Sequence, residues 1–155
     1  MLYIYMTNYY GYAALYVAMF VGVMLYGKWR SRTDGAADPL SHEILPRVDG
    51  WVLSHFTGYL LLGYFFPDTF RLSMFIGVLW ECFETWAGET KPDFLKGIGD
   101  TRMGTTHSEE LEDRLESGDG TGKYWWYGQY EDVIANGLGF LVGMYLCGEL
   151  KFAKL

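Results

Sequence analysis

Four apolar stretches separated by polar ones constrain this chain more than any other feature. The first runs from about Tyr3 to Gly27 and meets no charge until Lys28. At 1.5 Å per residue, such a helix crosses a hydrocarbon core of roughly 30 Å. The other three cover about 50–66, 70–88 and 131–148. Half of the residues are hydrophobic and 19% are aromatic, while mean hydropathy is only +0.02, because apolar and polar blocks cancel in the average. All four prolines fall between the blocks, which fits helices with uninterrupted interiors. The pattern predicts an all-α, polytopic membrane protein of one domain over residues 1–155. It would have four transmembrane helices and two polar loops, at 28–49 and 89–129.

The ends of the blocks carry the expected anchors. Tyr3, Tyr5, Tyr9 and Tyr10 crowd one end of the first, and Trp29 marks the other beside Lys28, Arg30 and Arg32. Ala14, Ala18 and Gly22 recur every four residues, as does the pair Gly139 and Gly143, giving small-residue stripes for close packing. The N-terminus has no basic region before its apolar run and no small-residue cleavage site after it, so it reads as a retained helix and not as a removed signal. Basic residues concentrate in the two larger loops (Lys28, Arg30, Arg32, Arg47; Lys91, Lys96, Arg102, Arg114, Lys123). By the positive-inside rule these loops face the cytoplasm-equivalent side, with both termini opposite. Of the loop features, His42-Glu43 suits one turn of surface helix. Thr106-His107-Ser108-Glu109 fits a capping box opening a short acidic helix to about Ser117, a solvated face. Gly118–Lys123 lacks the spacing of a phosphate loop, and no strand precedes it. Tyr124-Trp125-Trp126-Tyr127 looks like an interfacial anchor before the last helix.

Charge and composition exclude some partners. The net charge of −7 is concentrated in one loop, and no basic patch interleaved with aromatics points to nucleic acid. The expected partners are the lipid bilayer and other membrane proteins. Cys82 and Cys147 lie in separate blocks and read as buried free thiols.

Chemistry is expected where polar groups interrupt the apolar blocks. Glu81 and Glu84, three apart, share a helical face with Gly77 and Gly88. An ionisable residue in an apolar span costs roughly 2.5–3.5 kcal/mol and usually serves a function. Asp49 opens the second block and His55 follows about 9 Å along it; Asp132 opens the fourth, with Asn136 one turn deeper. An up-and-down arrangement brings Asp49, His55, Glu81, Glu84, Asp132 and Asn136 to one level. These six are the candidate site. Two close carboxylates raise one another's pKa and suit proton transfer; a histidine titrates near neutrality; Asp132 and Asn136 offer oxygen ligands to a cation. The bland reading of each is a structural hydrogen bond or helix cap. No H-E-x-x-H or cysteine cluster identifies a metal, and no cofactor is specified.

Asp49, His55 with Tyr59, Glu81, and Asp132-Val133-Ile134-Ala135-Asn136-Gly137-Leu138-Gly139 together resemble VanZ-like membrane proteins over residues 49–148. That family typically shows Asp then His early in one helix, Glu near the end of the next and D-x-x-x-N-x-x-G opening the last. Two features depart from it: Glu84 stands where Gln is common, and the third loop is long and acidic. The resemblance implies a four-helix membrane fold and an association with glycopeptide-antibiotic resistance, without a defined reaction. Two functions follow as expectations: a structural or accessory subunit of a larger membrane assembly, or a membrane-embedded enzyme using acid–base or cation chemistry on a lipid or lipid-linked head group.

Overall fold

A computed structural model describes residues 2–32, 40, 43–45, 48–90, 92–95, 97–99, 126 and 128–148. The helices are α1 (Leu2–Arg30), α2 (Gly50–Phe65), α3 (Phe70–Thr90) and α4 (Tyr130–Leu146). Their bounds lie within a few residues of those expected. Two strands, β1 (Glu43–Leu45) and β2 (Val48–Asp49), pair antiparallel before α2. The helical turn expected at His42-Glu43 is therefore extended at Glu43, and His42 lies outside the described residues. So do His107, the acidic run 109–116, Gly118–Lys123, Tyr124, Trp125 and Tyr127. Both cysteines are free thiols, but Cys82 is exposed and Cys147 only half-buried, against the expected burial, because Cys82 lies on an outer face of its helix.

Two turns fix the order of the bundle. Asp49 caps α2: its Oδ1 accepts from the backbone N–H of Trp51 and of Val52, both at 3.0 Å. Pro67–Thr69 forms a 3-10 turn that reverses the chain into α3, with the Thr69 hydroxyl donating to the Phe66 carbonyl at 2.7 Å. The connection is too short for any arrangement but antiparallel neighbours.

The tightest contact is between α2 and α4, which run parallel. A Cβ on Gly63 would strike the backbone of Phe140; one on Gly139, that of Phe56; one on Gly143, that of Leu60 and Tyr64. The Gly139-x-x-x-Gly143 stripe thus brings two backbones together, as its spacing predicts. Tyr12, Tyr59, Leu62 and Phe140 form the core beside this seam. Tyr12 packs edge-on against Phe66. Ser73, fully buried on α3, gathers three helices: its hydroxyl pairs with that of Tyr12 at 3.0 Å, and its carbonyl accepts from the Tyr59 hydroxyl at 3.0 Å. A second cluster of Ala87, Leu95 and Trp126 closes the opposite end. Trp126 is buried, and its indole N–H donates to the Ile98 carbonyl at 3.2 Å, so it is a core residue and not an interfacial anchor. Ser31 and Gly27 hold the same segment to the end of α1 through Gly97 and Gly99.

The expectation of four transmembrane helices is not supported. Among the described residues one segment, Tyr9–Arg30 of α1, is long and apolar enough to cross a membrane, with mean hydropathy 1.4. The 16 residues of α2 and 17 of α4 reach only about 24–26 Å, short of a core of roughly 30 Å. The 21 residues of α3 are long enough, but Arg71, Glu81, Glu84 and Glu89 interrupt them. The blocks 50–66 and 131–148 are apolar but only about 26–27 Å long as helices, and carboxylates lower the hydropathy of 70–88.

The seam yields a paired test. Gly139→Val should destabilise the fold by at least about 1–3 kcal/mol, because a backbone has to move. Gly22→Ala, with nothing within 4 Å of the added Cβ, should be neutral or gain up to about 1 kcal/mol of helix propensity. Thermal unfolding followed by circular dichroism reads both.

Candidate functional site

The seam that joins α2 to α4 also sets the site. One turn before Gly139, Asn136 faces α2, and its Oδ1 lies 3.1 Å from Nδ1 of His55. Gly77 of α3 leaves room there: a Cβ on it would strike the Tyr59 hydroxyl and come within 3.0 Å of Asn136 Nδ2. One turn along α3, Glu81 enters between His55 and the start of α4. Gly128 allows the incoming chain to lie on the Glu81 carbonyl. The next residue, Gln129, donates its backbone N–H to Glu81 Oε2 at 3.0 Å. Asp132 stands in the first turn of α4, where its charge suits the helix dipole. His55, Glu81 and Asp132 each bring a donor atom within 4.8 Å of the others. Glu81 is 7% exposed, Asp132 3% and Asn136 1%.

Burial controls the charges. It lowers His55 below its ordinary 6.5, against the opposing effects of Asn136 and the Asp49 charge, so the imidazole is neutral at pH 7. It raises Glu81 to about 7, against the Gln129 N–H that favours the carboxylate. The 3.8 Å from His55 Nδ1 to Glu81 Oε1 exceeds hydrogen-bond reach, and with a neutral ring it is not an ion pair. Glu81 Oε1 and Asn136 Nδ2 are buried with no hydrogen-bond partner among the described residues.

Glu84 does not join Glu81 at this point. The two are about 60° apart around the helix and about 4.5 Å apart along it, and these offsets set them toward different openings. Glu81 borders a shallow groove with Thr85, Gly128, Gln129 and Val133. Glu84 faces a chamber of about 490 Å³ between α1, α2 and α3, which His55, Tyr59 and Asn136 also line. Burial, followed by the charges of Glu81 and Asp132, raises Glu84 to about 9. Of the six expected residues, four therefore converge, Asp49 caps α2 beside them, and Glu84 lies across in the chamber. The residues missed were Ser73 and Tyr12, which join three helices with Tyr59. An isolated Ser and a Tyr in an aromatic-rich helix give no local signal.

No protein-family model, no curated protein and no solved structure matches the chain.

A carboxyl whose pKa is raised by folding keeps a proton that the unfolded chain has lost. Glu84 is thus without effect on stability below pH 4.5 and destabilises the fold increasingly as pH rises from 4.5 to about 9. Glu84→Gln should flatten the fall in stability across that window and leave stability at pH 4 nearly unchanged, as measured by denaturant unfolding at successive pH values.

Proposed function

We propose that this chain is a small membrane-associated protein, held to lipid through α1, which takes a lipid or lipid-linked molecule into the chamber and performs acid–base chemistry on its head group. The observation that carries this reading is the chamber itself. Its volume of about 490 Å³ is that of a small-molecule site. Aliphatic and aromatic side chains, among them Val17, Phe20, Val23, Ile76 and Trp80, form most of its wall. Its polar groups are few, and three of them, His55, Glu84 and Asn136, belong to the set expected to carry chemistry. An apolar chain would fill the wall region and set a polar head against His55. A neutral imidazole near a carboxyl of pKa about 7 gives one proton acceptor and one proton donor at neutral pH. Val17, Val21 and Leu25 of α1 are exposed at 61%, 44% and 63%, a surface suited to lipid. The VanZ-like resemblance belongs to this reading, since the residues that carry it, His55, Tyr59, Glu81 and Asn136, surround the head-group end.

The second reading, an accessory subunit of a membrane assembly, is favoured by α4. Ile134, Leu138, Val142 and Tyr145 recur at helical spacing and are 38–55% exposed, an apolar stripe open to a partner helix.

Two variants separate the readings. Glu81→Gln and His55→Ala should abolish head-group turnover when the purified protein is incubated with a total membrane-lipid extract, while the protein still accumulates. Loss of accumulation or of a co-purifying complex, with lipid chemistry unchanged, would support the subunit. Gly22→Phe adds a ring at a chamber wall where a Cβ meets nothing within 4 Å. It should reduce co-purifying lipid severalfold by mass spectrometry without loss of fold.

A further inference from the structure

We infer that His55, Glu81 and Asp132, with Asn136 beside them, bind one divalent first-row metal ion of the zinc or manganese type. The inference rests on the reading of this cluster as the reactive end of the chamber but replaces the acid–base pair with cation chemistry, since a bound ion occupies the His55 lone pair and keeps Glu81 ionised; its test is independent of turnover.

The donor set comes from three helices. His55 of α2 offers a ring nitrogen, Glu81 of α3 a carboxylate oxygen, and Asp132 of α4 another, all within 4.8 Å of one another. Tetrahedral zinc with bonds of roughly 2.0–2.2 Å separates its ligands by roughly 3.3–3.6 Å. The 3.8 Å between His55 Nδ1 and Glu81 Oε1 is within a few tenths of an ångström of that edge. The 3.1 Å between His55 Nδ1 and Asn136 Oδ1 is close to it as well, so the amide oxygen can serve as a fourth donor or steady the ring. Rotation of the Asp132 and Glu81 side chains closes the remainder.

A second observation points to an occupant. Glu81 is more than nine-tenths buried, and its Oε1, directed toward His55, takes no hydrogen bond from any described residue. A buried carboxylate oxygen left in this state is costly, because its lost hydration is not replaced. Two buried carboxylates at this distance also repel each other, and one doubly charged cation relieves both costs. One imidazole nitrogen with oxygen donors selects zinc or manganese over calcium and magnesium, which favour all-oxygen shells. The ion takes the Nδ1 lone pair when the ring proton sits on Nε2, and ionisation of Glu81 releases a proton. The Gln129 N–H on Oε2 holds the carboxylate so that Oε1 alone turns to the ion.

The test uses the purified full chain in detergent, stripped with a chelator and titrated separately with zinc, manganese and magnesium chlorides. Isothermal calorimetry gives affinity, and elemental mass spectrometry after dialysis gives stoichiometry. One zinc or manganese ion per chain is expected, with magnesium much weaker. Glu81→Gln and Asp132→Asn, near-isosteric and checked by circular dichroism, should each weaken binding by at least about tenfold; Asp68→Asn, at an exposed position in the turn between α2 and α3, should bind as the native chain does. The inference is overturned if the native chain holds no stoichiometric ion, if both ligand variants bind as it does, or if Asp68→Asn alone removes the ion. Metal binding without lipid turnover upholds the site and defeats the enzymatic reading. Turnover that persists in chelator-stripped protein showing no metal uptake does the reverse.

Discussion

Backbone contact between α2 and α4 is the constraint on which the remaining structure depends. Gly63, Gly139 and Gly143 carry no side chain where the two helices meet, and each would collide with the opposite backbone if it did. This approach sets the register of two parallel helices to within a fraction of a turn. His55 and Asn136 then face each other because they lie one to two turns from the contact on the same faces. A looser seam would leave the 3.1 Å His55–Asn136 contact unmade, and the polar cluster would have no fixed geometry.

The third helix completes the site by a similar device. Gly77 makes room for Tyr59 and Asn136, Gly88 for Trp126, and, from the incoming chain, Gly128 for the Glu81 carbonyl. Each glycine lies where another element crosses α3. Glu81 is thereby largely buried at the edge of its groove and its proton affinity rises, while Glu84, turned toward the chamber, is governed by burial and by the two carboxylates behind it. One short stretch of α3 thus serves two compartments: a groove on the α4 side and an apolar chamber on the α1 side. The cluster between them links chemistry to a place where an apolar chain fits.

Much of this was legible in the residues. The four helices, the reversal at Pro67–Thr69 and the convergence of His55, Glu81, Asp132 and Asn136 follow from apolar periodicity, proline placement and helix rise, which are local properties. The number of membrane crossings was not legible in the same way. Two of the expected blocks reach only about 26–27 Å as helices, and the third carries Glu81 and Glu84, so apolar composition alone overestimates the number of spans. The pairing of Glu43–Leu45 with Val48–Asp49 was hidden for a related reason: so short a ribbon has too few residues to show alternation.

The sequence by itself determined which segments are helical, which residues are too costly to bury without a purpose, and that these share one level of the bundle. Those properties depend on spacing along a single chain. Only the tertiary structure decided that Glu81 and Glu84 face different compartments, that Asp49 is engaged in capping α2, that Trp126 is a core residue, and that Ser73 ties three helices together. Each of these depends on the angle at which one helix meets another. That angle is set by backbone contact at a few glycines and by the sum of many side-chain contacts, and neither is encoded at any single position.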